Sequence, residues 1–310
     1  TTCNSDSETI TGAMFFGVTA SISLIMKLIR RDFSYQDRHY SKGLPFPHEL
    51  MSHRGGSMEN IENTLPAFRY SAKLGVDLLE MDVQLTRDGH VVVCHDDCLQ
   101  RLCGVNKNIR DLLYAELPPL LVPDTLKSNT SIASGLTAAT RIPLLLEVLE
   151  EFPSYPMQID VKNGSKELVN LVGSYIMKYN RAPYTVWGSF VPRANQLCFD
   201  NFGTKIPLFF CARRAWLAYT LYHLGLLHLL PLRESALIIP NIPSFLSRDL
   251  LSAINAKGVS VIMFGVGSGA LNSIEDWQNA RDIGANGICS DAPTSLQAWL
   301  SSSPLQRLSM

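Results

Sequence analysis

In "LLEMDV" one residue separates Glu80 from Asp82, and in "MQIDVK" the same spacing separates Asp160 from Lys162. A strand turns alternate side chains to opposite faces, so each pair shares a face, with Ile159 and Val161 on the other. Strands of an α/β barrel are as a rule apolar on both faces, which makes such charged interruptions expensive. Three carboxylates converging at about 5 Å would repel by roughly 3 kcal/mol per pair at an effective dielectric of about 20. One divalent cation removes that penalty. The oxygen-only set Glu80, Asp82 and Asp160 favours Mg2+, Ca2+ or Mn2+ over Zn2+, with Mg2+ or Ca2+ the expectation. The alternative is that Glu80 and Asp82 are solvated at a strand end or paired with Arg54 and Lys162.

Two imidazoles close apolar runs, His53 after "ELMS" and His95 after "VVVC". A turn at His53-Arg54-Gly55-Gly56 needs only the glycines, which tolerate positive φ, so the side chains beside them ask for another explanation. One histidine after a strand is usually structural. Two of them, with the acidic pairs, suggest a site at the C-terminal strand ends, where barrel enzymes gather their catalytic residues. There His53 and His95 suit phosphodiester cleavage: one takes a proton from the attacking oxygen, the other gives one to the leaving alcohol. Arg54, Lys162 and the metal would stabilise charge on the phosphoryl oxygens.

Positioning these groups requires alternating strands and helices. Strand-like runs fall at Leu50 to Ser52, Val76 to Leu85, His90 to His95, Met157 to Val161, Thr185 to Trp187, Ile206 to Phe210, Ala236 to Ile239, Val259 to Val266 and Gly287 to Cys289. The alternation implies parallel strands joined by crossover helices, and the length favours a (β/α)8 barrel over an open sheet. Nine runs are one too many for eight staves. Arg87-Asp88-Gly89 resolves this, because so short an Asp-Gly connection makes a hairpin and puts one arm outside the barrel ladder. Thr64, Pro66 and Gly75 mark the N-cap, first turn and end of the first helix. Residues 98–141 read as a small irregular insertion.

A chain of 310 residues, 46% hydrophobic, can hold one large domain. Its net charge of −1 leaves no broad basic surface, so nucleic acid is excluded as a partner, and no protein partner is inferable. Seven scattered cysteines without a C-x-x-C pair suit reduced thiols. Residues 10–29, "ITGAMFFGVTASISLIMKLI", carry only Lys27 as a charge and read as a transmembrane anchor after a tail at 1–9. A signal sequence or a buried helix is the alternative. The basic residues after the stretch put the rest of the chain, a linker at 30–49 and the barrel at 50–302, on the cytosolic side. The sequons at Asn129 and Asn163 would favour a lumenal barrel if used. A second apolar stretch, 215–232, begins "AWLAYTLYH", has no Asp, Glu, Lys or Arg, and reads as an interfacial helix flanked by Arg213, Arg214 and Arg233, or else as a buried crossover.

His53-Arg54-Gly55-Gly56, Glu62-Asn63-Thr64, Glu80-x-Asp82, Thr86-x-Asp88-Gly89, Val93-x-His95-Asp96, Ile142-Pro143-x-Leu145, Asp160-x-Lys162 and Gly287-Ile288-x-x-Asp291-x-Pro293 together resemble, in order, the glycerophosphodiester phosphodiesterase family. The N-terminus, "NRAPYTVWGS" and "LGLLHLLPLRE" are similar to its animal membrane-anchored branch. The resemblance implies a TIM barrel of the phospholipase-C-like phosphodiesterase type, catalytic His53 and His95, metal ligands Glu80, Asp82 and Asp160, and phosphate contacts Arg54 and Lys162. It also implies a lysophospholipase D-like activity on lysophospholipids, N-acyl ethanolamine lysophospholipids included, that releases lysophosphatidic acid. Endoplasmic reticulum or perinuclear membranes are the implied location. Water-soluble glycerophosphodiesters are the alternative substrate, and a catalytically silent membrane scaffold the alternative of another class. One departure touches recognition. Where the family carries Trp and, three residues on, Asn, this chain reads Phe264-Gly265-Val266-Gly267, which keeps an aromatic face without the amide. Phe264, with Trp216 of the apolar stretch, is therefore the expected substrate-binding pair.

Overall fold

The computed structural model describes residues 43–126, 140–242, 245–265 and 271–302. Eight strands alternate with helices: β1 (Leu50–Ser52), β2 (Leu78–Leu85), β3 (Val91–Val93), β4 (Met157–Val161), β5 (Thr185–Gly188), β6 (Ala236–Pro240), β7 (Ser260–Phe264) and β8 (Gly287–Ser290). All but β3 pair in parallel, in the order β5-β4-β2-β1-β8-β7-β6. Residues 206–210 fill the gap between β5 and β6 through two isolated parallel bridges, Trp187 with Leu208 and Phe209 with Ala236. The expected strand at Ile206 to Phe210 is thus a stave without a continuous ladder. Pro207 has no N–H to donate, so the ladder cannot run through it. The result is a nearly closed (β/α)8 barrel.

Alternation along each strand divides the core. Leu79, Met81 and Val83 of β2, with Met157, Ile159 and Val161 of β4, face outward into the layer between barrel and helices. Leu78 faces inward with Met51, Val186, Phe209, Ala236, Ile262 and Cys289, above Leu44 and Phe46. By the same period Glu80, Asp82, Gln158 and Asp160 must also face inward, one and two layers nearer the C-terminal mouth.

The hairpin expected at Asp88-Gly89 is present. Gly89 takes φ 80°, the Thr86 amide donates to the His90 carbonyl (3.0 Å), and β3 runs antiparallel to β2. Since β4 lines the other edge of β2, β3 continues the edge that β1 leaves after Leu79. Running back toward the barrel, β3 delivers His95 to the level of Asp82, whose carbonyl accepts from the Cys94 amide (2.9 Å).

Helix α1 (Leu65–Leu74) starts where expected, with Thr64 accepting from the Ala67 amide and Gly75 closing it at φ 84°. Helix α2 (Gln100–Cys103) opens the irregular segment, whose short 3-10 turns wrap a small core of Val92, Leu99, Ile109, Leu112, Leu120 and Ile142. The outer ring continues with α3 (Leu145–Glu151), α4 (Lys166–Lys178), α5 (Pro192–Phe202), α6 (Ala212–His223), α7 (Arg248–Asn255), α8 (Ile274–Asp282) and α9 (Pro293–Ser302). The described cysteines are free thiols.

One expectation about membranes changes. The single-pass placement with a cytosolic catalytic domain is corrected: among the described residues no helix is long and apolar enough to cross a membrane. Helix α4, with 13 residues, spans about 20 Å against a hydrocarbon core of about 30 Å. The expected anchor at 10–29 lies outside the described residues, as does the Asn129 sequon. The stretch 215–232 is a crossover, broken after α6 by Gly225 at φ 69°. Its Leu217, Ala218, Leu221, Leu227, Leu230 and Leu232 are buried, while Leu224, Leu226 and Leu229 are exposed. Arg214, expected to flank it at a lipid surface, is instead buried in a bidentate pair with Glu234 (2.7 and 2.8 Å).

Candidate active site

The turn after β1 is strained where it matters. Arg54 sits at φ 52°, ψ 30°, followed by Gly55 at φ 80° and Gly56 at φ 85°. A Cβ on Gly55 would lie 2.7 Å from Ala67 Cβ, and one on Gly56 2.8 Å from Pro293, so both positions need glycine for space as well as for φ. A left-handed arginine costs energy and persists only where its surroundings enforce it. Here its amide donates to Glu80 Oε2 (2.7 Å) and its carbonyl accepts from the amide of Asn63, itself at φ 58°. The turn thereby aims the guanidinium into the mouth.

Glu80, Asp82 and Asp160 are all buried, at 5%, 1% and 2% exposure. Asp82 and Asp160 stand opposite one another in the β2–β4 register. The Lys162 ammonium lies between them, 2.8 Å from Asp82 Oδ1 and 2.7 Å from Asp160 Oδ2. The Arg54 Nε is 3.3 Å from Asp82 Oδ2, which also accepts from Asn63 Nδ2 at 2.9 Å. Burial alone would raise the Asp82 carboxyl, but Lys162, His95 and Arg54 hold it well below the usual carboxylate range. Burial and the Asp82 charge push Glu80 well above that range, and burial raises Asp160.

Three buried carboxylates against two fixed cations leave the cluster one positive charge short. Asp160 Oδ1 is buried without a hydrogen-bond partner. An all-oxygen donor set with an orphaned carboxylate oxygen and a Glu80 forced upward fits a hard divalent cation. As the side chains stand, Lys162 occupies the space between two of these groups, and among the described residues no three metal-ligating side chains close on a single point.

Each histidine is oriented by an aspartate. His53 Nδ1 lies 2.6 Å from Asp291 Oδ1, and His95 Nδ1 lies 2.5 Å from Asp96 Oδ1. Both contacts suit an Nδ1–H donating to an ionised carboxylate, which leaves each Nε2 open to a reactant. Asp291 also accepts from Ser57 Oγ and from Asn272 Nδ2 (3.1 Å), while Asp96 Oδ2 accepts from Arg101 Nε (2.6 Å). Burial opposes ionisation of both aspartates, yet hydrogen bonds from His53 and Ser57, and from His95 and Arg101, keep both far below the ordinary range. His95 itself is lowered, chiefly by burial.

The structure brings His53, Arg54, Glu80, Asp82, His95, Asp160 and Lys162 together at one mouth. Phe264 lies at the same end of β7, half-buried, its ring centroid 5.6 Å from that of Phe190. Trp216, on α6, packs edge-on against Tyr219 and against Phe245 of the loop after β6. Asn163 has its amide engaged with Gln84 and Ser165. Sequence reasoning gave no role to Asp96, Asp291, Glu62 or Asn63, although all stand in the quoted motifs, and it did not single out Arg101. For Asp96 a signal existed, since it directly follows His95. For Asp291 only the meeting of β8 with β1 could supply one.

The sequence model of the glycerophosphoryl diester phosphodiesterase family matches residues 53–295. The chain is 36% identical to lysophospholipase D GDPD1 of Homo sapiens, over 84% of this chain and 89% of that one. It is 31% identical to lysophospholipase D GDPD3 of Mus musculus, over 84% of each. In fold it resembles a glycerophosphodiester phosphodiesterase from Agrobacterium tumefaciens, with TM-score 0.61 at 18% identity, covering 81% of this chain and 99% of that one. An Oleispira antarctica phosphodiesterase, solved in complex with the product sn-glycerol-3-phosphate, gives TM-score 0.62 at 22% identity over 82% of this chain and 96% of that one. These two likenesses bear on the fold alone. Because the family match runs from the first histidine of the barrel mouth to beyond the aspartate that orients it, the chain belongs to the glycerophosphoryl diester phosphodiesterase family and is a phosphoric diester hydrolase.

Proposed function

We propose that the chain is a lysophospholipase D, hydrolysing a lysophospholipid between phosphate and headgroup alcohol to leave lysophosphatidic acid. The observation that carries this reading is the meeting of two histidine–aspartate pairs with one buried cluster of carboxylates and cations. Hydrolysis needs a proton taken from the attacking water, a proton given to the leaving alcohol, and positive charge around the phosphoryl oxygens. His95, its pKa lowered chiefly by burial and its Nδ1 held by Asp96, is the base. His53, held by Asp291, is the acid. Arg54 and Lys162 face the phosphoryl oxygens, and Phe264 with Phe190 offers an aromatic wall beside them. Glu80, Asp82 and Asp160 would hold one divalent cation, Mg2+ or Ca2+, which when bound supplies Lewis-acid polarisation of the phosphate.

The relatives named lysophospholipase D, at 36% and 31% identity, favour the lipid substrate. A second reading, hydrolysis of water-soluble glycerophosphodiesters to glycerol 3-phosphate and an alcohol, is favoured by the product held in the Oleispira antarctica enzyme. Purified protein with added Mg2+ or Ca2+ is to be assayed on lysophosphatidylcholine and glycerophosphocholine, with the phosphate product identified. A higher kcat/KM on the lysophospholipid, with lysophosphatidic acid released, supports the first reading, and the reverse order supports the second. No turnover of either with any divalent ion overturns both.

A further inference from the structure

Arg101 stands on the four-residue helix α2, outside the barrel, and its guanidinium reaches two acidic side chains at once. Nε donates to Asp96 Oδ2 at 2.6 Å, Nη1 to Glu62 Oε2 at 2.7 Å and Nη2 to Glu62 Oε1 at 3.0 Å. Each acid is also engaged by a second partner. The other oxygen of Asp96 receives His95 Nδ1 at 2.5 Å, and Glu62 Oε1 also receives Arg54 Nη1 at 3.0 Å. One planar cation therefore links the orientation of an imidazole to that of a second guanidinium.

We infer that Arg101 is a positioning residue that locks His95 and Arg54 into one arrangement through Asp96 and Glu62. This rests on the proposed roles of His95 and Arg54. An exposed ion pair is ordinarily worth little. Here the arginine is half exposed, but the carboxylates it grips are 13% and 22% exposed, and the Glu62 pair is bidentate, the geometry in which arginine adds direction as well as charge. Without it, Glu62 and Asp96 face each other with no cation between them, and Asp96 can turn away from His95. Lysine, a point donor, can replace one contact but not the fork. The segment that wraps its own small core beside the barrel thus reaches the proposed chemistry through Arg101.

The test uses the full chain with Arg101→Ala, Arg101→Lys, Asp96→Asn and the double variant Arg101→Ala/Asp96→Asn. Arg101→Ala should lower kcat by about 10- to 100-fold, the scale for a group that orients a functional side chain, with a smaller change in KM. The double variant should lose no more than Asp96→Asn alone, because both changes cut the same chain of contacts. Millimolar guanidinium ion should restore part of the Arg101→Ala activity, and Arg101→Lys should fall between. Losses that multiply in the double variant, or native kcat in Arg101→Ala, overturn the inference. A readout without turnover separates it from the hydrolase reading. Histidine 15N–1H spectra should show His95 as a single Nδ1–H tautomer in the parent and as an averaged signal in Arg101→Ala, with His53 unchanged. That change in a protein inactive on every phosphodiester would uphold Arg101's role while the hydrolase reading fell. An unchanged His95 signal in an active protein would do the opposite.

Discussion

Asp82 and Asp160, opposite one another on neighbouring parallel strands, share one ammonium, that of Lys162, at 2.8 and 2.7 Å. Lys162 follows Asp160 by two residues and lies where β4 leaves the barrel, so its side chain turns back over the acids of its own strand and the next.

Removing that ammonium should therefore cost stability unless something replaces it. Lys162→Met is expected to lose about 3–5 kcal/mol in chelator, the usual penalty for leaving a buried charge unpaired. Mg2+ or Ca2+ should recover much of the loss, and should not when Glu80→Gln is added. Urea titrations with and without the ion measure both. Chelation should also abolish hydrolysis, and full activity in excess chelator would rule out the metal.

His53→Ala and His95→Ala should each lower turnover at least about 100-fold, the scale for a positioned acid or base, without loss of fold. As the proposed base, His95 must be uncharged to act. With its pKa lowered, the acidic limb of kcat/KM in the parent should lie below the ordinary imidazole value of about 6.5. A limb above that value would assign the base elsewhere.

Asp96 and Asp291 have folded-state pKa values depressed below those of the unfolded chain, despite burial, by their histidine partners among others. Their contribution to stability is then fully present above about pH 5 and drains away as pH falls through the carboxylate range toward the folded values. Asp291→Asn should flatten the fall in urea midpoint between about pH 5 and pH 3. An unchanged slope would show that the His53 contact adds no pH-dependent stability.

Leu221, at 1% exposure, lies in the layer between barrel and helices. Leu221→Ala should cost about 2–5 kcal/mol and reduce hydrolysis of lysophospholipid and glycerophosphocholine in the same proportion. Trp216→Ala, where the ring packs against Tyr219 and Phe245, should instead leave glycerophosphocholine turnover near native and depress only that of the lysophospholipid. Equal effects of Trp216→Ala on both substrates would remove this side chain from lipid recognition.

Much of the fold was legible because its signals are local. The period of two that places Glu80 with Asp82, and Asp160 with Lys162, belongs to strand geometry. The Asp88-Gly89 hairpin, the Thr64 cap and the Gly75 stop likewise depend on residues within a few positions of one another. Ile206 to Phe210 read as a strand for the same reason, and only the broken ladder at Pro207 showed otherwise. Residues 215–232 are apolar whether they meet lipid or a barrel wall, and composition cannot separate the two. Only the packing of α6 decides which of them turn to the barrel and which, such as Leu224, Leu226 and Leu229, stay exposed, and only the fold pairs the buried Arg214 with Glu234.

The types of the candidate groups were therefore legible in the sequence alone: two imidazoles, three carboxylates, an arginine and a lysine on or just after barrel strands. Which nitrogen of each imidazole is left open was not. His53 takes its partner from 238 residues away, because β1 and β8 are neighbours only once the barrel comes round. His95 takes its partner from the next residue, but that partner is held in place by a guanidinium on a different element. Contacts of this kind depend on register and closure, which are summed over every strand of the barrel and written in no short stretch of it.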